Sequence, residues 1–298
     1  MPGLPRLKQL LRAVSGSALL NDRHSLTILM LLAAAVAAGA LFFAMSEIVL
    51  TDAAGPEAQT PPIAPGALAA LPAPGEQESA WMCIIIDDIG EDLAALNKLL
   101  ALPYPVTLSI WPHSTHAAYS SALSAAQGRQ VFIHLPMQPD REERRAIIPE
   151  TLRVGVAPAE IAQILEYSRR MVPDAQGLNN HMGSRFTSNI DATRVFCAEL
   201  RKFWPQALVV DSLTHQGSVF YDLAWEHGLN AFRRSLFLDE ENVRAAILRQ
   251  LDNGLDLARQ NGWAIVIGHP RQATLEALQV WLGYLDPEVE IAPLRAIR

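Results

Sequence analysis

Apolar residues fall into two regimes along the chain. From Leu26 to Met45 they run without a single charge, LTILMLLAAAVAAGALFFAM. From Trp81 onward, short apolar runs alternate with longer stretches of helical period. The short runs predict strands at Met82–Ile86, Val106–Ile110, Val131–Leu135, Leu208–Asp211 and Ala264–Ile267, with weaker ones at Gln176–Asn179 and Ala231–Arg233. The intervening periods predict helices at Leu93–Leu102, His116–Ala126, Pro158–Met171, Thr193–Phe203, Val219–His227, Glu241–Asn261 and Thr274–Leu285. Pro158 suits a first helical turn, and Glu160 suits the positive end of the helix dipole. Nearly continuous apolar strands alternating with helices predict an α/β domain, a parallel sheet covered by helices. Roughly seven such units favour a (β/α) barrel, incompletely closed, over an open sheet.

The first regime predicts one transmembrane helix. At about 1.5 Å per residue, its roughly 20 residues cross a hydrocarbon core of about 30 Å. Arg6, Lys8, Arg12 and Arg23 precede it, while Glu47 and Asp52 follow it. The positive-inside rule therefore places the N-terminus in the cytoplasm and the rest outside, as a single-pass protein of the inner membrane. A cleaved signal peptide is the alternative, but the run exceeds the roughly 7–15 residues of a usual apolar signal core. The expected organisation is a basic leader over residues 1–25, an anchor over 26–45, a Pro- and Ala-rich linker over 46–80, and a domain over 81–298.

Composition narrows the chemistry. A net charge of −7 argues against a nucleic-acid partner. Two cysteines, Cys83 and Cys197, are too few for a disulfide scaffold, and Cys83 lies inside an apolar run as a packed strand residue. There is no GxGxxG after the first strand, no GxxxxGK[ST] and no GxSxG.

In parallel α/β folds, chemistry gathers at the C-terminal ends of the strands. The first predicted strand ends in IIIDDIG, which puts Asp87 and Asp88 at its mouth. The third offers His134, and the fourth leads into GLNNHMGSRFT with Asn179, Asn180, His181, Ser184 and Arg185. The fifth offers Asp211, Ser212 and His215, and the last offers His269 and Arg271. Any one of these could be a helix cap or a buried structural residue. Their coincidence on five strand ends points to a site. His113, His116, His215 and His227 fall in loops or helices and are set aside as non-catalytic.

The runs IIIDDIG, HLPMQP, NNHMGSRFT, VVDSLTH, FLDE and IGHP, in that order, resemble the divergent polysaccharide deacetylase family over nearly all of Cys83 to Leu294. That family is related to carbohydrate esterases of the NodB-type fold, a distorted (β/α) barrel with fewer strands than eight. Members of the wider superfamily remove acetyl groups from N-acetylated sugars with a divalent metal, usually zinc. The resemblance implies Asp88, His134 and His181 as metal ligands, Asp87 as the base and His269 as the general acid. Asn180, Arg185 and Asp211 are the candidates for substrate binding. Two departures stand out: the superfamily keeps its ligand histidines in one His-x-x-x-His motif, and the family commonly has Glu where this chain has Gln138.

Such a set suits amide hydrolysis. A metal with one Asp and two His ligands stays net positive and acidifies its water, and a neighbouring carboxylate can take the proton. The expected activity is a metal-dependent deacetylase acting on envelope polysaccharide or peptidoglycan. The alternatives are a degenerate, non-catalytic member binding envelope glycan or a protein partner, and a glycosidase using Asp87, Asp88 and Asp211.

Overall fold

The first strand, β1 (Ala80–Ile89), shows how the sheet is built. Met82, Ile84 and Ile86 face one apolar cluster, while Cys83 and Ile85 face another. A strand buried on both sides has no use for polar residues until its end, which is why its sequence reads as an unbroken apolar run. The computed structural model describes residues 79–141 and 148–294. The predicted leader, the anchor at 26–45 and nearly all of the linker lie outside these residues. Among the described residues no helix is long and apolar enough to cross a membrane.

Every pairing in the sheet is parallel. Along one edge of β1 lies β8 (Trp263–Gly268), in register from Trp81 opposite Trp263 to Ile86 opposite Gly268. Its other edge is shared by β9 (Val289–Ile291) near the start and β2 (Thr107–Ile110) near the end. Beyond β2 follow β3 (Val131–Met137), β4 (Gly177–Met182), β5 (Leu208–Asp211) and β6 (Asn230–Arg233). Beyond β8 lies β7 (Leu236–Phe237). The result is a curled half-barrel. Its edge strands β6 and β7 are joined by Arg234 and Ser235 alone, whose N–H groups donate to the carbonyls of Asp211 and Ile265.

The inner face is filled by Cys83, Ile85, Phe132, Val210, Phe232, Ile265 and Ile267, with Leu294 against them. The outer face is covered by helices, among them α1 (Leu93–Leu100), α2 (Ala117–Ala126), α3 (Pro158–Met171), α5 (Ile190–Phe203), α6 (Phe220–Glu226), α7 (Arg244–Asn261) and α8 (Gln272–Val280). A short helix, α4 (Ser184–Thr187), follows β4 directly. Burying a large apolar side chain contributes about 1.5–3 kcal/mol, so the two clusters hold the sheet from both sides.

All seven predicted strands exist. β7 and β9 were not expected, since two or three residues are too few to show a period of two. The last predicted helix, Thr274–Leu285, breaks instead at Trp281, which is extended, and resumes as a 3₁₀ turn at Gly283–Leu285. The Trp281 ring packs edge-on against Tyr104, and its indole N–H donates to Asp252, so tertiary contacts end the helix there. α5 begins earlier than predicted because Asn189 caps it, accepting from the Ala192 N–H at 2.9 Å. Cys83 and Cys197 are both buried and unpaired.

Candidate active site

Adjacent residues of a strand normally face opposite sides, so Asp87 and Asp88 should not share a cleft. An irregularity in β1 lets them. Ile86 pairs with Leu108 and Ile89 with Ile110, so β1 carries one residue more than β2 over this stretch. Asp88 occupies the bulge with φ of 54°, a conformation strained for a residue with a side chain. Gly90 closes the turn at φ 126°, and a Cβ there would fall 1.9 Å from Ser114 Oγ. The glycine of DDIG is thus required by close approach as well as by backbone angle.

Beside this turn the other strands present alternate residues. β3 points His134 inward after Phe132, β4 points Asn179 and His181, and β8 hands on to His269 after Ile265 and Ile267. Asp87, Asp88, His134, His181 and His269, together with Asn180, Met182, Ser212, Thr214, Phe237, Pro270 and Arg271, line a cleft of about 470 Å³, while Asn179 is fully buried.

Three side chains converge at its floor. His134 Nε2 lies 3.3 Å from Asp88 Oδ1, and His181 Nδ1 lies 3.1 Å from the same oxygen. The three potential ligand atoms all fall within 4.8 Å of one another. In a tetrahedral zinc site with bonds of about 2.0–2.2 Å, ligand atoms stand roughly 3.4 Å apart, so the spacing around Asp88 fits a small divalent cation. The donor set, one carboxylate and two imidazoles, suits one as well. The electrostatics point the same way. Burial disfavours the charge on His134, but Asp87 and Asp88 outweigh it and raise the imidazole to about 9. Burial also opposes ionisation of Asp88, yet the two histidines hold its carboxyl far below the usual range. The floor therefore carries a negative oxygen that draws positive charge, whether proton or metal.

Asp87 is almost fully buried. Burial raises its carboxyl above the ordinary value, opposed by His134, His269 and a hydrogen bond from Asn179 at 2.8 Å. On the neighbouring strand end, His269 Nδ1 lies 3.0 Å from Oδ1 of Asp239, whose Oδ2 accepts from the His269 N–H and from Thr274 Oγ1. With Nδ1 tied to Asp239, His269 Nε2 is left for the cleft. Burial works against its charge, but Asp239 and then Asp87 raise it. Arg271 also lines the cleft and donates to the Asp239 carbonyl at 2.7 Å.

The structure thus gathers Asp87, Asp88, His134, Asn180, His181 and His269 in one cleft. Asn180 forms part of the wall, with its amide engaged by Met182 and the Ser212 N–H. Arg185 and Asp211, expected to bind substrate, do not line the cleft. Arg185 is exposed on α4. Asp211 is fully buried on the outer face, where it accepts from the Leu213 N–H and from Ser218 Oγ and so folds the loop after β5. Gln138 does not line it either. Its Oε1 accepts from the Val154 N–H, and its carbonyl accepts from the N–H groups of Arg185 and Phe186. Asp239 received no role from sequence, although it lies in the FLDE run, because it follows the two-residue strand β7 and did not read as a strand end.

A model of the divergent polysaccharide deacetylases matches residues 84–297. The chain belongs to the divergent polysaccharide deacetylase family. Two relatives of this deacetylase-family chain match over 210 residues, 70% of its length. One is YibQ of Escherichia coli K12, an uncharacterized protein, at 33% identity, of whose length 65% is covered. The other is an uncharacterized protein of Haemophilus influenzae, at 32% identity and 74% of its length. Among solved structures, ATU2773 of Agrobacterium tumefaciens shares the fold, with a TM-score of 0.66 at 22% identity over 72% of this chain and 87% of its own. In this member of the family the two candidate ligand histidines come from adjacent strands, β3 and β4, where Pro136 pairs with His181. Adjacent strands bring together what a single His-x-x-x-His motif would otherwise supply.

Proposed function

We propose that the protein is a metal-dependent deacetylase that hydrolyses the acetamido group of N-acetylated sugars in envelope polysaccharide or peptidoglycan. The observation that carries this reading is one cleft that holds two separate proton-handling groups, Asp87 and His269, together with a cation-sized cluster. Asp88, His134 and His181 would hold the divalent cation, with zinc as the expected metal, and it would acidify a water and polarise the acetyl carbonyl. Asp87, whose carboxyl burial raises above its ordinary value, takes the proton of the attacking water. His269, oriented by Asp239 and kept protonated to higher pH, gives a proton to the departing amine. Asn180 and Arg271 stand in the wall, where they can meet the sugar. Family membership supports the substrate class.

The apolar run at 26–45 and its flanking charges support holding the domain at the outer side of the inner membrane. From there it would reach envelope polymers. The reading is tested by incubating the zinc-supplemented protein with N-acetylglucosamine oligomers and with peptidoglycan, and labelling the free amino groups formed. New amines with the wild type, and at least about a hundredfold fewer with Asp87→Asn or His269→Ala, are expected. Glycan binding without amine formation would favour the non-catalytic alternative.

A further inference from the structure

Asn179 lies on β4 with no exposed surface, and its amide uses all of its hydrogen-bonding capacity. Oδ1 accepts from Ser109 Oγ at 2.6 Å and faces His134 Nδ1 at 2.9 Å. Nδ2 donates to Asp87 Oδ1 at 2.8 Å and to Ser212 Oγ at 3.1 Å. The partners come from β2, β3, β1 and the residue after β5. One side chain therefore links four neighbouring strands and the residue after a fifth across the inside of the half-barrel, beside the cleft.

The orientation of that amide has a chemical consequence. A carboxylate only accepts, so the NH₂ group must turn towards Asp87. Oδ1 then faces His134, and an acceptor there requires a proton on Nδ1. A neutral imidazole with its proton on Nδ1 keeps its lone pair on Nε2. That is the nitrogen 3.3 Å from Asp88 Oδ1. Were the amide reversed, Nδ1 would accept from it, and Nε2 would carry a hydrogen towards the cluster instead.

We propose that Asn179 is a positioning residue of this site, which fixes His134 with its proton on Nδ1 and its Nε2 lone pair towards Asp88 and His181, and which orients Asp87 as an acceptor. The inference rests on the reading of Asp88, His134 and His181 as a cation site. Outer partners of ligand histidines act in this way, and losing one typically costs about 10–100-fold in metal affinity. Ser109 and Ser212 hold the amide in place from either side.

The test reads the ring and the metal separately. Nitrogen NMR of histidine-labelled, metal-free wild type over a pH series, read where the shifts themselves show the ring to be neutral, is expected to show His134 protonated on Nδ1. A ring protonated mainly on Nε2 would overturn the proposal. Zinc alone is then titrated into wild type and Asn179→Leu, which keeps the branched shape and the number of heavy atoms and removes all four bonds. A drop of about 10–100-fold in zinc affinity is expected. Unchanged zinc affinity in a folded but less heat-stable variant would show a merely structural role and overturn it. If the variant does not fold, the tautomer of the wild type decides. Wild type that takes up no zinc, with His134 nonetheless protonated on Nδ1, would sink the metal reading and leave the role of Asn179 in fixing the ring supported.

Discussion

Asp239 engages His269 twice, its Oδ1 facing the ring Nδ1 at 3.0 Å and its Oδ2 accepting the backbone N–H at 2.7 Å. The carboxylate is fully buried and the imidazole opens onto the cleft. Against burial, Asp239 raises His269, and His269 in turn helps to hold Asp239 below the usual carboxylate range. A general acid must be protonated, so the rate should fall as pH rises through the His269 value. Asp239→Asn should move that fall to lower pH and reduce kcat by about tenfold or more, as a pH–rate profile would show.

The same pair makes a stability prediction. A histidine raised above its unfolded value of 6.5 contributes fully below that pH, and the contribution is lost as pH rises through the folded value. An aspartate lowered below 3.8 contributes fully above that pH, and its contribution is lost as pH falls through the folded value. Asp239→Asn should therefore depress the melting temperature most between about pH 4 and 6.5, and less on either side. A uniform loss across that range would mean the pair acts through packing alone.

On the proposed reading, zinc would have to displace the proton that His134 holds in the metal-free protein, where Asp87 and Asp88 outweigh burial and raise the imidazole to about 9. Zinc affinity should accordingly climb with pH through the neutral range and level off above about 9. Competition titrations against a coloured chelator at several pH values would show it. Asp88→Ala should weaken binding by more than about 100-fold, since a ligand should matter more than an outer partner. It should also remove any zinc-induced rise in melting temperature.

The resemblance leads one to expect Glu where this chain has Gln138, and Gln138 does not line the cleft. Gln138→Glu keeps an acceptor for the Val154 N–H and should leave kcat within about threefold. Gln138→Ala removes that acceptor and should cost about 1 kcal/mol of stability, measurable by denaturant unfolding.

Much of this site is legible in the chain because the strands are buried on both faces. Asp87, His134 and His269 stand out as polar residues ending apolar runs. What stays hidden depends on geometry across strands. The bulge that turns Asp88 beside Asp87 leaves no mark in the apolar pattern, and β7 is too short to flag Asp239 as a strand-end residue. Arg185 and Asp211 mislead for the opposite reason. Arg185 follows a predicted strand and Asp211 ends one, but the first sits exposed on a short helix and the second faces away from the cleft to brace a loop.

Gly90 tests the bulge itself. Gly90→Ala would need an alanine at φ 126° with its Cβ on top of Ser114 Oγ. A loss of about 2–3 kcal/mol in stability is expected from strain and overpacking together. Neutral behaviour would mean that the DDIG turn is looser than described.

Acetate release under metal control is the decisive measurement for metal-dependent removal of acetyl groups. The full chain is stripped with a chelator, assayed on N-acetylated glycan, resupplied with zinc and assayed again beside Asp88→Ala. Acetate release that vanishes on stripping, returns with zinc and never appears in Asp88→Ala is the predicted result. Release indifferent to the chelator, or zinc bound at Asp88 with no acetate formed, would contradict it.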